Sequence, residues 1–433
     1  MSSEQSAGIS DGSRAGSAYG WVIVAIAFLS MAMVFGSRFS LGLFLPHLPE
    51  GLGTSAAAVS ATLAISMLGA AIAQPLIGWF LDLWGSRIVL SFGLGFAGLA
   101  LCGTAFSNAL WQMTLFMGLG SSVAYAAVSP VSITSIVSSW FDAKRGMALG
   151  VATSGTKVAM IFLPPAVAAL IAFFGWRTAM LVLGLIVWLL IPAVLFFVKP
   201  APGAASGLTK DLAGKDKLVG DAADGPLAPD ADATLWTALT APAFWLIAVS
   251  LFANGFIMNL VFIHLPSFVL SHGYDEALAA TGLAVLGAIG IVGNVVTGAL
   301  SDRMGRRTVL LILFAARGIT TLSLVLAPSL LSFLAFIIAF GLLGYGAIGV
   351  IGALASEIFG RRSIGAILGS AYVFNQVGAA AGIYAGGASL EWTGTYNAAL
   401  WLSIFTTVLS FGCILLLRET RPVAGGHPDF TSN

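Results

Sequence analysis

"GWFLDLWGSR" (residues 78–87) and "GALSDRMGRR" (residues 298–307) follow one pattern, G-x-x-x-D-x-x-G-x-R, with Asp82 and Arg87 matched by Asp302 and Arg307. One such match arises by chance; two in register on either side of a polar linker point to a duplicated unit. The tripeptide "HLP" precedes each copy, at 47–49 and at 264–266, and the repeat pairs His47 with His264. Each copy ends a long apolar run, so the solvent of those runs comes next.

Of the 433 residues, 58% are hydrophobic and 9% charged, about a third of the charged share of a soluble domain. A soluble chain of this length cannot hide that much apolar surface. A mean hydropathy of +0.98 agrees, and the chain is read as a polytopic membrane protein. The net charge of +1 shows no basic patch, so no nucleic acid is expected. Cys102 and Cys413 both fall in apolar runs, which does not suggest a disulfide framework.

A membrane span needs about 20 apolar residues. Twelve such runs are found, at about 20–46, 56–82, 87–106, 109–139, 146–173, 177–198, 242–270, 277–301, 308–327, 329–356, 363–388 and 395–417. The first follows a polar tail and not a short basic region, so it is read as a span and not a cleaved signal. Between the sixth and seventh lies "KPAPGAASGLTKDLAGKDKLVGDAADGPLAPDADA", without an aromatic residue or apolar periodicity. Such a segment buries too little surface to fold alone. The predicted organisation is an N-terminal tail (1–19), a six-helix bundle (20–198), a linker (199–241), a second bundle (242–417) and a C-terminal tail (418–433). Alternate short loops carry Arg87, Lys144, Arg145, Arg303, Arg306, Arg307, Arg361 and Arg362. The opposite loops carry only Arg177 beside Glu50, Asp275, Glu276 and Glu391. The positive-inside rule then places both tails and the linker in the cytoplasm, in a bacterial inner (plasma) membrane with lipid as its surroundings.

Parallel six-span repeats fit two bundles that rock about a central site. On the repeated loop segments the chain resembles the major facilitator superfamily over essentially its whole length. "SSWFDAKRGMALG" (138–150), "GWRTAM" and "SEIFGRRSIGAILG" (356–369) resemble the monocarboxylate transporter and oxalate/formate antiporter group. The resemblance implies an all-α fold of twelve transmembrane helices in two pseudo-symmetric bundles, acting as a monomer. It also implies a gating role for Asp82, Arg87, Asp302 and Arg307, with Asp accepting hydrogen bonds at a helix end and Arg pairing across neighbouring helix ends. Plain positive-inside anchoring is the competing reading.

Outside the cytoplasmic loops, linker and tails four basic residues remain: Arg38, Lys157, Arg177 and Arg317. Arg177 follows a turn and is read as a boundary residue. Arg317 falls in a span that the resemblance makes peripheral, where a structural pair or snorkelling is expected. Arg38, in "MVFGSRFSLGLFLPHLPE" (33–50), is different, because its span lines the central cavity in the resembled fold. An arginine at membrane depth costs at least about 2.5–3.5 kcal/mol, and no acidic residue lies inside the twelve runs to offset it, Asp82 only closing the second at its end. A substrate carboxylate held by the guanidinium fork in two hydrogen bonds is the simplest compensator. An arginine solvated near the outer mouth is the alternative.

Lys157, in "GVATSGTKVAMIFLPP", sits among small residues on another span that lines the cavity in the resembled fold, with snorkelling as its equal rival. Where relatives in that group carry charges in spans eight and eleven, this chain has Asn294 and Asn375. One cation per site then favours a monoanion over a dianion. Asn294, Asn375 and Gln376 are expected to offer neutral hydrogen bonds, and Tyr125 and Tyr345 to close over a small acid. Gln74, before Pro75, is read as satisfying backbone freed by the proline. His264 is the proton-coupling candidate, since histidine alone changes charge near neutral pH, although a capping histidine is commoner.

The predicted function is secondary active transport of a small monocarboxylate by alternating access, coupled to a proton as symport. The alternatives are a proton-driven exporter of a drug or metabolite, an organic-anion exchanger, and a membrane sensor of the same fold. There is no GxxxxGK loop, metal-spaced His/Cys cluster or nucleophile elbow. No enzymatic activity, cofactor or metal is therefore expected.

Overall fold

The computed structural model describes residues 4–138, 140–141, 145–198, 234–326, 329–360 and 364–417, with side chains left out at the N-terminal tail and a few positions that include Asp82. Most of the expected linker, residues 199–233, and the C-terminal tail at 418–433 lie outside the described residues.

Ten helical runs among the described residues are long and apolar enough to cross a membrane. One of them, Met147–Phe197, breaks at Gly175, where φ is 78°, and so holds two spans. A further helical stretch, 110–138, is interrupted. A π-helical segment, Thr114–Gly120, and a break at Val128–Ser129 divide it. Twelve spans result: α1 (Tyr19–Phe44), α2 (Ala56–Leu81), α3 (Leu83–Ala105), α4 (110–138), α5 (147–174) and α6 (176–197) in the first bundle. The second bundle holds α7 (Pro242–Ser271), α8 (Glu276–Met304), α9 (Arg306–Leu326), α10 (Leu330–Phe359), α11 (Ile364–Thr393) and α12 (Asn397–Leu416).

The duplicated segment folds alike in both bundles. Gly85 between α2 and α3 has φ 75°, and Gly305 between α8 and α9 has φ 86°. Side chains with a Cβ rarely adopt this region, which is why the pattern needs glycine at that place. The far ends of α2 and α8 match as well. Ser55 accepts a hydrogen bond from the Ala58 amide, and Asp275 accepts one from Leu278 at 2.8 Å, each an N-cap that supplies an orphan donor. The two "HLP" tripeptides, however, are not equivalent. His47 lies past the end of α1 at a short helix, Leu48–Leu52, whereas His264 lies inside α7. Against the loop pattern the tripeptides are three residues out of register, so the match of those letters carries no structural meaning.

Among the described residues the bundles meet most extensively along three helix pairs. At Gly42 of α1 an added Cβ would stand 2.5 Å from the Ile263 carbonyl of α7. At Gly287 of α8 it would stand 2.9 Å from Met160 of α5, and at Gly387 of α11 it would strike Ser60 of α2. Missing side chains let the backbones approach. All three contacts lie in the half of the molecule away from the duplicated segments. There, too, His47 pairs with Glu276 at 3.2 Å, and the Ala57 amide donates to Glu391 at 3.1 Å. At the other end the bundles part. A Cβ at Gly78 or at Gly298 would meet nothing within 4 Å among the described residues.

Candidate functional site

The cavity between the bundles has a volume of about 520 Å³ and draws its walls from α1, α2 and α4 on one side and α7, α10 and α11 on the other. A second space of about 230 Å³ shares Gln74, Ser129 and Gly369 with it and runs on to Gly78 and Leu81 at the duplicated segment. Access is therefore from the motif end, and the opposite end is blind.

Arg38 stands at that blind end. Its Nη2 donates to Asn259 Oδ1 at 3.0 Å and approaches Met67 Sδ at 2.8 Å, and its guanidinium carbon lies 5.2 Å from the centre of the Tyr125 ring. Asn259 is positioned by its own amide, which donates to the Gly255 carbonyl at 3.0 Å. The partners are thus a neutral amide, a thioether and a π face. Among the described residues no carboxylate pairs with Arg38, and no partner is found for its Nε or Nη1.

Several other arginines spend donors on backbone carbonyls. Arg177 donates to the carbonyls of Ala105, Ser107 and Gly51 at 2.7, 2.8 and 3.2 Å, tying the start of α6 to the end of α3 and to the short helix Leu48–Leu52. Arg307 donates to Ile414 and Leu415 at the end of α12, and Arg306 pairs with Glu357 of α10. Arg317 does not snorkel. It is 1% exposed and donates to Asn254 Oδ1 at 2.9 Å and to the Gly344 carbonyl. That carbonyl is free because α10 breaks at Tyr345–Gly346, so the guanidinium repairs a helix interruption. Arg87 and Asp302 are exposed, and the side chain of Asp82 lies outside the described residues. The motif arginine of the second bundle thus bonds within its own bundle, at an end where the bundles are parted.

Of the residues expected to bind substrate, Arg38, Tyr125 and Gln376 line the cavity. The structure corrects the placement of the rest, none of which is among its lining. Asn375 is buried and donates to the Leu251 carbonyl at 3.0 Å, pinning α11 to α7. Asn294 is exposed on α8. Lys157 and Tyr345 pack on each other across the bundles, with Lys157 Nζ 3.8 Å from the ring centre and the Tyr345 hydroxyl 2.9 Å from Met160 Sδ. His264 is 2% exposed, with Nε2 2.8 Å from the Ile383 carbonyl and the ring against Tyr396; it bonds α7 to α11 in the closed half. Gln74 differs in the other direction, lining the cavity instead of serving the backbone above Pro75.

Sequence reasoning missed Phe35 and Tyr372, both in the cavity wall. Helical spacing held the signal: Phe35 is three residues before Arg38, and Tyr372 is four before Gln376, so each pair shares a face.

The sequence profile of the Major Facilitator Superfamily matches residues 27–382 and 290–432. The oxalate:formate antiporter of Oxalobacter formigenes is 26% identical over 419 residues, covering 93% of each chain. Monocarboxylate transporter 11 of Mus musculus is 30% identical over 281 residues, 64% of this chain and 57% of that one. Among solved structures, a bacterial homologue of the human lysosomal transporter Spinster, in an inward-facing and occupied conformation, superposes with a TM-score of 0.72 at 16% identity, covering 92% of this chain and 96% of the other.

Proposed function

This chain belongs to the Major Facilitator Superfamily, and from that premise we propose that it moves a small organic monoanion, a monocarboxylate, with a proton by alternating access. The observation that carries the reading is Arg38: a permanent cation at the blind end of the central cavity, with three of its five N–H donors unengaged and no carboxylate partner among the described residues. A guanidinium in that position is stabilised by an anionic guest, and its planar fork matches a carboxylate in two parallel hydrogen bonds.

The mechanism follows from the rigid parts. With the motif end in the cytoplasm of a bacterial inner membrane, the conformation is inward-facing, and the site reaches the cytoplasm past Gln74 and Ser129. Rocking the bundles closes Gly78 and Gly298 against their opposite bundles and parts Gly42 from α7. In that state Asp82, Arg87, Asp302 and Arg307 latch the motif end. Arg38 belongs to the first bundle and Asn259 to the second, so their bond changes as the bundles move, and a bound carboxylate takes its place. The resemblance to a monocarboxylate transporter and to an oxalate:formate antiporter supports a carboxylate cargo. That Arg38 is the single cation among the described residues of the cavity wall supports one charge over two.

The test is uptake of labelled lactate, pyruvate and aromatic carboxylates into proteoliposomes. Saturable flux that responds to an imposed pH gradient is expected, and Arg38→Gln is expected to reduce it to background with expression unchanged. Full flux in Arg38→Gln removes the binding role; no flux with any monocarboxylate refutes the cargo.

A further inference from the structure

The wall beside Arg38 is aromatic, and it belongs to one bundle. Phe35 lies one turn below Arg38 on the same face of α1, and its ring centre is 6.3 Å from that of Tyr125, the planes inclined by 35°. Tyr125 also carries the Arg38 guanidinium at 5.2 Å from its centre. Cation and rings thus form one continuous surface on α1 and α4 that rocking of the bundles carries intact. Across the cavity Tyr372 of α11 supplies a third ring. The other polar side chains described in the cavity wall, Gln74, Ser129 and Gln376, are neutral, as is Asn259 on Arg38.

We propose, resting on the monocarboxylate reading above, that the substrate is an aryl or arylalkanoic acid: a carboxylate for Arg38 joined directly or by a short linker to a flat apolar body that lies on Phe35 and Tyr125. Aromatic faces prefer offset or tilted contact with a second ring, and such contact adds to the apolar area buried. A two- or three-carbon acid would use the cation and leave the rings facing water. A volume of about 520 Å³ holds a carboxylate of one or two rings with space to leave.

Competition for bound labelled phenylacetate on the purified full chain tests this, with benzoate, lactate, acetate and benzyl alcohol as competitors. Phenylacetate is expected to bind at least about tenfold more tightly than lactate or acetate. Phe35→Leu and, separately, Tyr125→Leu are expected to shrink that ratio to about threefold or less, while Tyr125→Phe keeps it. Each variant is first checked for unchanged monodispersity and melting temperature. Lactate competing as well as phenylacetate, or a ratio unmoved in both leucine variants, overturns the aryl assignment and leaves monocarboxylate transport standing. Benzyl alcohol competing as well as phenylacetate, or unchanged phenylacetate binding in Arg38→Gln, overturns both.

Discussion

An arginine in a membrane helix is legible as costly before it is legible as functional, and this chain holds both outcomes. Arg317 and Arg38 are each met by an asparagine of α7, Asn254 and Asn259. Arg317 is sealed in protein and its second group is a backbone carbonyl; Arg38 has a thioether, a ring and an open cavity. The difference predicts opposite consequences. Arg317→Met leaves the Asn254 amide and the Gly344 carbonyl without their donor, at about 1–3 kcal/mol for each group. Its melting temperature in detergent is expected to fall by several degrees while transport per folded molecule survives. Arg38→Gln is expected to keep its melting temperature and lose transport. His264→Gln is expected to cost about 1–3 kcal/mol through the lost bond to Ile383. Flux in that variant is expected still to follow the pH gradient, because the ring lies in the closed half. Loss of that dependence would place the proton on His264.

Interruptions make the elements what they are. The glycines of the duplicated segment turn α2 into α3 and α8 into α9 at positive φ. Gly85→Ala, with φ held near 75°, is expected to destabilise by about 1–3 kcal/mol, measurable as a lower unfolding midpoint, and Gly305→Ala by a similar amount. The break in α4 at Val128–Ser129, just before Pro130, which has no amide hydrogen to give, places Tyr125 and Ser129 in the cavity wall. The break in α10 has a different use: it turns Tyr345 towards α5 and leaves the carbonyl that Arg317 takes up.

Across the whole molecule the conformation is set by which end is clasped. Two carboxylates of the second bundle reach the first: Glu276 to His47, and Glu391 to the first turn of α2. The His47–Glu276 pair is about a third exposed, so its share is that of a surface pair. With the helix-end bond the two contribute about 1–2 kcal/mol. Glu276→Gln combined with Glu391→Gln is therefore expected to raise the ratio of open to closed at this end by about five- to thirtyfold. A cysteine at Ser60, fully buried between α2 and α11, reports the change. Its reaction with a maleimide is expected to quicken in the double variant, and an unchanged rate would show that the clasp does not set the equilibrium.

Composition, run length and one duplicated decapeptide determined the membrane, the spans and the twofold design, because hydrocarbon leaves the chain few ways to satisfy its backbone. The same reasoning reached Arg38, since a charge without a counter-ion in an apolar run stands out in one dimension. It did not separate Tyr125 and Gln376, which line the cavity, from Asn375, Asn294, Lys157, Tyr345 and His264, which do not. Polar side chains in spans look alike as letters. Only the rotation of each helix, the breaks in α4 and α10, and the close approach of the bundles at Gly42, Gly287 and Gly387 decided which faced a cavity and which was used up by a neighbouring carbonyl, ring or sulfur.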